Sequence, residues 1–359
     1  MRIRRLTIKN YRLLGNIDLE LGPGLNVLYG DNAAGKTSLL ETLVCLSRGR
    51  VEGGNPRQCC GPASKDWLVE AWVASDWPQS SAIHDRLRMQ WQKGLSFFIN
   101  GVSTTTRNLS RQLIVAAVEP RSHELFDFGP GQRRRFLDWA LFHVEPRYAE
   151  SWSRWRRVLE QRNRALAESR DADVAWIWDP QLVETAMEIH RSRLSVVESI
   201  AGDLKETLVN LFGEEDINLR YEYGWNQNEA YEVVLSNQQL ADRESGRTRS
   251  GPQRADLKIT VGAMEVERLS RGQQKLLLTG LMVSASRHIE RERKTWPLLL
   301  VDDFESELGG SSQDKMATML SSYPGQSLVT QHRQQSALTQ LAGASLFHVE
   351  HGKVHLTIQ

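Results

Sequence analysis

The sequence predicts an α/β fold in which a mostly helical arm interrupts a head built from sheets and helices. Three observations lead to this prediction. A glycine-rich loop follows an apolar run near residue 30, and a second apolar run ends in two acids near residue 302. Between them, the chain changes to arginine-rich segments with helical spacing. We therefore expect residues 1–133 and 217–359 to form two parts of the head, and residues 134–216 to form the inserted arm.

The glycine-rich loop has the spacing of a phosphate-binding loop. Apolar alternation over residues 3–21 predicts a hairpin, and residues 25–29 have the pattern of a buried strand. Residues 30–37 then match G-x-x-x-x-G-K-[ST] and lead into an amphipathic helical pattern. Backbone N–H groups of such a loop surround phosphate oxygens at a helix N-terminus. The predicted nucleotide contacts are Gly30, Asp31, Asn32, Ala33, Ala34, Gly35, Lys36, Thr37 and Ser38, with Thr37 also a Mg²⁺ ligand. A glycine turn that only caps a helix is the alternative.

The second apolar run, WPLLLVDD at residues 296–303, ends in two acids. A continuous apolar run is typical of a buried parallel strand, and ligands bind beyond the carboxyl ends of such strands. Asp302 is therefore predicted to hold Mg²⁺, and Asp303 to orient or deprotonate an attacking water. The alternative is a strand followed by a capping aspartate.

A third motif, LSRGQ at residues 269–273, opens a strongly apolar helix. Serine, glycine and amide groups at this point produce a helix N-terminus that can accept an anion. By itself the motif indicates only a helix N-cap, but it precedes the strand that ends in two acids.

The order of these motifs resembles that of the ABC/SMC-type ATPases. Other segments narrow the resemblance to the RecF family: IKNYR at 8–12, RRFLDW at 134–139, GPQRADL at 251–257 and LVDDFESEL at 300–308. The resemblance covers most of the chain. It implies an ABC/SMC-type P-loop ATPase head with a helical lobe II, ATP and Mg²⁺ as cofactors, and an ATP-dependent head-to-tail homodimer.

The resemblance also implies individual roles. Lys36 and Asp303 would carry catalysis, Arg12 would contact phosphate or stabilise the nucleotide, and His332 would be the switch histidine. Signature residues acting on the partner's nucleotide would be Ser270, Arg271, Gly272 and Gln273. Gln112 is a candidate for the glutamine loop, with a surface glutamine as the alternative. Gly309 departs from the family because it replaces the usual acid of the D-loop.

The implied function is that of a slow DNA-dependent ATPase of recombinational DNA repair and replication-fork maintenance. It would clamp duplex DNA or junctions of single and double strands, with RecR and RecO as candidate partners in loading RecA on gapped DNA. From residue 131 to 170, ten arginines against five acids favour DNA binding. Trp152 and Trp155 could stack on bases, but we expect them to belong to the core of the arm. Two alternatives remain: a nucleotide-holding DNA scaffold with little hydrolysis, and an ABC-type transporter subunit.

Composition restricts partners and location. A net charge of +1 identifies no partner, and three cysteines without a C-x-x-C motif favour reduced thiols. The first residues alternate as a strand does and lack an apolar leader segment, and no apolar run approaches the length of a membrane span. We therefore expect a cytoplasmic protein without a membrane partner, and the resemblance implies that it is associated with the nucleoid.

Overall fold

The computed structural model describes residues 1–74, 85–120, 124–168, 173–212, 216–341 and 343–357. The strands are β1 (Arg2–Tyr11), β2 (Leu14–Glu20), β3 (Leu25–Tyr29), β4 (Trp67–Ala74), β5 (Asp85–Trp91), β6 (Leu95–Ile99), β7 (Val102–Ser103), β8 (Val115–Val118), β9 (Ile217–Glu222), β10 (Asp256–Val261), β11 (Met264–Glu265), β12 (Leu298–Val301), β13 (Ser327–Gln331), β14 (Ser345–Glu350) and β15 (Lys353–Thr357). The α-helices are α1 (Lys36–Arg48), α2 (Thr106–Gln112), α3 (Glu124–Asp127), α4 (Pro130–Val144), α5 (Tyr148–Glu168), α6 (Asp173–Trp176), α7 (Asp179–Phe212), α8 (Tyr231–Asn237), α9 (Gln239–Ser245), α10 (Arg271–Arg293) and α11 (Gly310–Ser321). None of these described helices combines the length and apolar character that a membrane span requires.

The chain forms two compact units. Unit 1 comprises Met1–Ser122 and Ser270–Gln359, and unit 2 comprises His123–Leu269. Unit 2 extends beyond the predicted arm of residues 134–216 because β9 packs on α7 and β10 packs on α4. The sequence analysis assigned these strands to the head, since strand alternation does not reveal which helices a strand will contact.

Unit 1 contains two six-stranded sheets. The first has the order β2-β1-β4-β5-β6-β7 and is antiparallel, so the predicted hairpin over residues 3–21 is confirmed. The second has the order β15-β14-β3-β13-β12-β8, and only β15 is antiparallel to its neighbour. A single apolar cluster connects both sheets with α1 through residues such as Ile8, Leu43 and Leu300, each at most 1% exposed. Burying one such side chain contributes about 1.5–3 kcal/mol.

The second sheet determines where the motifs meet. Strand β13 lies between β3 and β12, and both neighbours run parallel to it. Val329 of β13 pairs with Val27 of β3 on one side and with Val301 of β12 on the other. The predicted strands at residues 25–29 and in the run before Asp302 are therefore confirmed. Their carboxyl ends reach the same edge of the sheet, which is where ligands bind in such folds.

Unit 2 is mainly helical, and α5 and α7 pack against each other. A small antiparallel sheet of order β11-β10-β9 completes it. The sequence pattern of residues 231–235 predicts a strand, but this prediction is wrong, because the segment begins helix α8. Tyr231, Val234 and Leu235 are its buried residues. Their spacing of i, i+3 and i+4 is that of one helix face, and the β-branched and aromatic residues misled the prediction.

Buried ion pairs hold unit 2 together. Arg162 is fully buried, and its Nε donates to Asp179 Oδ1 at 2.7 Å. Its Nη1 donates to Asp242 Oδ2 at 2.8 Å and to Thr248 Oγ1 at 2.7 Å. Asp242 is equally buried and also accepts the Arg249 backbone N–H at 3.0 Å. A buried charge that loses its partner is strongly destabilising, so this network fixes the helices that contribute to it.

Replacing Asp242 with Ala should therefore lower the free energy of unfolding by about 3–5 kcal/mol, since Arg162 would stay buried without its fully buried carboxylate partner. Glu160→Ala is the control, because Glu160 pairs with Arg156 at the surface, where both side chains are about 60% exposed. The control should cost less than about 1 kcal/mol. Urea unfolding followed by far-UV circular dichroism measures both values. Equal losses in the two variants would contradict this account.

Candidate nucleotide-binding site

The loop between β3 and α1 has a backbone that only glycine fits at two points. Gly30 has φ +151°, and a Cβ there would lie 2.1 Å from the carbonyl oxygen of Val349. Gly35 has φ +113°, and a Cβ there would lie 2.7 Å from Leu14 Cδ2. Ala33 also has a positive φ of 62°, a conformation that costs a residue with a Cβ about 1–2 kcal/mol. The loop therefore has a specific, partly strained shape.

Lys36 begins α1 and turns back onto this loop. Its Nζ donates to the carbonyl oxygens of Gly30 at 2.6 Å and Asp31 at 2.8 Å. Burial lowers the pKa of Lys36, and the nearby carboxylates of Asp302 and Asp303 oppose that shift. No acidic residue occupies the first turn of α1, so its N-terminus is suited to an anion. The predicted contacts Asp31, Asn32 and Ala33 are exposed at the tip of the loop.

The two acids after β12 lie in different environments. Asp302 is buried, its N–H donates to Val118 O at 2.8 Å, and its carboxylate accepts the hydroxyl of Thr330. Asp303 is exposed with φ 52°, and its N–H donates to Thr330 Oγ1 at 2.8 Å. Thr330 at the end of β13 therefore positions both acids. Sequence reasoning missed Thr330, although a polar residue at the end of an apolar run was a usable signal.

A cavity of about 630 Å³ opens beside the helix N-terminus. Its lining includes Arg12, Thr37, Ser38, Glu41, Glu119 and Asp302. The hydroxyl of Thr37 and the carboxylate of Asp302 are oxygen donors of the kind that Mg²⁺ prefers. The described residues contain no group of three or more His, Cys, Asp or Glu that could hold a metal. Two protein oxygens suit Mg²⁺, which usually keeps several waters and binds substrate phosphates.

Arg12 reaches this cavity from the end of β1. Its Nη2 donates to Glu41 Oε1 at 2.6 Å, and its φ is 50°. Burial opposes the charged form, but the hydrogen bond and the charge of Glu41 outweigh it and raise the pKa of Arg12. Its Nε is buried without a hydrogen-bond partner among the described residues. An unsatisfied cationic N–H beside the cavity fits the predicted phosphate contact.

His332 lies beside the loop. It follows β13, and its Nδ1 is 3.3 Å from the carbonyl oxygen of Gly30. Its backbone N–H donates to Glu305 Oε2 at 2.9 Å, which connects it to the segment after Asp303. Sequence reasoning did not identify Glu305 as part of this site.

Gln112 does not reach the site. It ends α2, before β8 begins, whereas the cavity lies beyond the carboxyl end of β8. The glutamine-loop interpretation is therefore wrong. Glu119 and Pro120, directly after β8, line the cavity instead, and burial raises the pKa of Glu119. The sequence predicts no role for residues 115–128, of which residues 121–123 lie outside the described residues.

The signature residues form a capped helix N-terminus. Ser270 Oγ accepts the Gln273 N–H at 3.3 Å, and Gln273 Oε1 accepts the Ser270 N–H at 3.0 Å. The Ser270 hydroxyl proton is not used in this capping box, so it can donate to another group. Arg271 donates to Gln274 Oε1 at 3.0 Å. A Cβ on Gly272 would lie 2.6 Å from Glu307 O, so the helix touches the D-loop there.

Many arginines of unit 2 serve its own structure rather than a free basic surface. Arg133 is buried, and its Nε lies 2.7 Å from Asp256 Oδ1. Arg134 Nη1 donates to Ala255 O at 2.6 Å. Arg154 Nη2 lies 3.6 Å from Glu184 Oε1, and its Nη1 lies 3.9 Å from Glu188 Oε1. Both glutamates lie outside residues 131–170, in which the arginines and acids were counted. The exposed arginines of that segment without an acidic partner among the described residues are Arg135, Arg147, Arg157 and Arg164. Arg170 lies outside the described residues.

The two tryptophans of α5 differ. Trp155 is buried, so its assignment to the core is confirmed. Trp152 is half-buried, and the guanidinium of Arg156 lies 5.5 Å from its ring centroid. Trp152 therefore retains a partly accessible face beside a cation.

Gly272→Ala should lower the free energy of unfolding by about 1–3 kcal/mol, because the new methyl group would clash with the Glu307 carbonyl. Gly310→Ala is the matched control, since a Cβ there meets nothing within 4 Å. Gly310 opens α11, where alanine is the better helix former, so the control should be neutral or slightly more stable. Thermal unfolding compares the two variants. A Gly272→Ala protein as stable as the control would show that the contact is not tight.

Comparisons with known proteins identify the family. A family model described as an AAA domain matches residues 5–70. The DNA replication and repair protein RecF of Mannheimia succiniciproducens is 32% identical over 344 residues, which cover 92% of each chain. RecF of Haemophilus influenzae is 31% identical over 368 residues, covering 99% of each chain.

Solved structures give the fold. The recombination mediator protein RecF of the RecFOR pathway, with ATPrS, has a TM-score of 0.82 at 23% identity and covers 99% of this chain and 98% of its own. An Smc head bound to the C-terminal winged-helix domain of ScpA has a TM-score of 0.63 at 12% identity, covering 99% and 98%. The fold is that of the ABC/SMC-type ATPase heads, and the chain belongs to the RecF family of DNA replication and repair proteins.

Proposed function

We propose that this chain binds ATP with Mg²⁺, closes into an ATP-dependent homodimer, and hydrolyses ATP slowly in a DNA-dependent manner. The closed dimer clamps duplex DNA or junctions of single and double strands. With RecR and RecO it helps to load RecA on gapped DNA. The protein then works in the cytoplasm, associated with the nucleoid. The observation that carries this proposal is the convergence of Lys36, Asp302, Asp303 and His332 at the ends of adjacent parallel strands.

Each side chain has a distinct task in this proposal. The loop N–H groups hold the β- and γ-phosphates, and Lys36 exchanges its two carbonyl contacts for phosphate oxygens. Thr37 and Asp302 hold Mg²⁺, which neutralises developing charge on the phosphates. Asp303 orients the attacking water, or accepts its proton, from an exposed position held by Thr330. His332 contacts Gly30 O through its ring and Glu305 through its backbone N–H, so binding of the γ-phosphate changes the position of the segment that contains Glu305.

Dimerisation explains the signature helix. The N-terminus of α10 has no acidic residue in its first turn, and Ser270, Arg271 and Gln273 are exposed there. An exposed helix N-terminus with a free hydroxyl donor suits a phosphate brought by another subunit. A second copy would supply it, so each nucleotide lies between the phosphate loop of one chain and Ser270 of its partner.

DNA binding is supported by family membership and by the four exposed arginines of residues 131–170 that have no acidic partner among the described residues. Phosphate neutralisation by such residues is independent of sequence and falls with salt. RecF of the RecFOR pathway is described as a recombination mediator, which supports RecR and RecO as partners. Family membership does not support the transporter alternative in the same way. A nucleotide-holding scaffold remains a second candidate, because Gly309 replaces the D-loop acid.

Lys36→Ala should weaken ATP binding at least about tenfold, because the phosphates lose their lysine. Asp303→Asn should bind ATP within about twofold of the unmodified protein but hydrolyse it about 10²–10⁴ times more slowly. Asp314→Asn, an exposed change on α11, is the control and should behave as the unmodified protein. A fluorescent ATP analogue measures binding, and single-turnover phosphate release measures hydrolysis. Hydrolysis undiminished in Asp303→Asn would contradict the assigned role. Nucleotide bound without any hydrolysis would favour the scaffold.

The combined Arg147→Gln, Arg157→Gln and Arg164→Gln variant should weaken binding to gapped duplex DNA in the presence of ATP. The slope of log K against log salt should fall by about one for each arginine that neutralises a phosphate. The control is Arg156→Gln with Glu160→Gln, which removes a paired cation and its acid together. Fluorescence anisotropy at several salt concentrations gives the slopes. An unchanged slope in the triple variant would place the DNA elsewhere on the protein.

A further inference from the structure

Lys275 connects the signature helix to the segment that carries Asp303. It lies five residues after Ser270 on α10, and its side chain is directed at the turn after β12. Its Nζ donates to the carbonyl oxygen of Asp303, and also to that of Ser306 at 2.9 Å. Burial lowers the pKa of Lys275, while Asp303, Glu307 and Asp302 oppose the shift. Two of its three donors are therefore committed to the backbone of one turn.

The same turn touches the helix at a second point. Gly272 approaches Glu307 so closely that a Cβ would lie 2.6 Å from the Glu307 carbonyl oxygen. Asp303 and Glu307 both have positive φ angles, 52° and 67°. Residues with a Cβ hold such conformations only when their surroundings fix them. The turn therefore depends on outside restraints, and Lys275 supplies two of the hydrogen bonds.

We propose that Lys275 is a positioning residue that holds the turn of Asp303 on the signature helix of the same chain. This inference rests on the proposed function, in which Ser270 meets the partner's nucleotide and Asp303 acts on the nucleotide of its own chain. The two hydrogen bonds from the Lys275 amine fix the backbone of this turn, and with it the direction of the Asp303 carboxylate.

The geometry favours this role over direct phosphate binding by Lys275. Its amine already donates to two carbonyl groups on its own chain, whereas the first turn of α10 is exposed and ready for a ligand. A misplacement of about 1 Å in a reacting group can cost about a hundredfold in rate. Loss of Lys275 should therefore slow hydrolysis more than it weakens nucleotide binding.

The first test compares three variants. Lys275→Met keeps the length of the side chain without its donors, and Lys275→Arg keeps the donors. Lys294→Met, an exposed change at the C-terminal end of the same helix, is the control. Lys275→Met should bind ATP and dimerise within about twofold of the unmodified protein, but hydrolyse ATP at least about tenfold more slowly in a single turnover. Lys275→Arg should recover part of the rate, and the control should keep all of it. An unimpaired Lys275→Met rate would overturn the proposal.

Mixtures of subunits decide which site Lys275 serves. In a head-to-tail dimer, each site combines Asp303 of one chain with Ser270 of the other. Lys275→Met mixed with Ser270→Arg should therefore regain hydrolysis. One of the two sites then combines the intact Asp303 turn of the Ser270→Arg chain with the intact Ser270 of the Lys275→Met chain. Lys275→Met mixed with Asp303→Asn should not regain it. The opposite pattern would show that Lys275 acts through the signature, and would overturn the proposal.

A reference mixture separates this inference from the proposed function. Ser270→Arg mixed with Asp303→Asn should regain hydrolysis in any composite site, whatever Lys275 does. If that mixture is active and the mixture of Lys275→Met with Ser270→Arg is not, the positioning of Asp303 by Lys275 is refuted. If the reference mixture is inactive, or the unmodified protein neither dimerises with ATP nor hydrolyses it, the composite site itself is refuted.

Discussion

Backbone hydrogen bonds between three parallel strands, β3, β13 and β12, bring the phosphate loop and the two acids of the candidate site together. The phosphate loop follows the first strand, Thr330 and His332 end or follow the second, and the two acids follow the third. Because the strands are parallel and adjacent, groups about 300 residues apart in the chain reach one edge. Gly30 then allows the phosphate loop to pass close to Val349, and the Thr330 hydroxyl bonds to both acids. The chemistry proposed here depends on that register.

Much of this arrangement could be predicted, since its signals are local. A loop of the form G-x-x-x-x-G-K-T after an apolar run allows few structures, and an apolar run ending in two acids is typical of a parallel strand. The phosphate loop, the buried strand before Asp302 and the capped signature helix were therefore readable from short segments. The roles of His332 and Arg12 needed the family resemblance. The structure brings both to the loop or its cavity, although their functions stay proposals.

The remainder depended on contacts between distant segments. The arginine excess of residues 131–170 suggested a nucleic-acid surface, but two of those arginines pair with acids outside that range. Asp256 pairs with Arg133, and Glu184 and Glu188 pair with Arg154. Glu119 rather than Gln112 borders the cavity because β8 lies beside β12 and its carboxyl end faces the site. No sequence pattern predicts that Lys275 donates to two backbone carbonyl groups, since a lysine in a helix usually points to solvent.

The measurement that tests the central claim most directly is the mass of the protein in solution, by light scattering, with ATP and without nucleotide. The account predicts a monomer without nucleotide and a dimer with ATP. Ser270→Arg should stay monomeric with ATP while still binding it, because the large side chain obstructs the helix N-terminus that meets the partner's phosphate. ATP-dependent dimers of undiminished stability in Ser270→Arg would contradict the claim that the signature of one chain completes the site of the other.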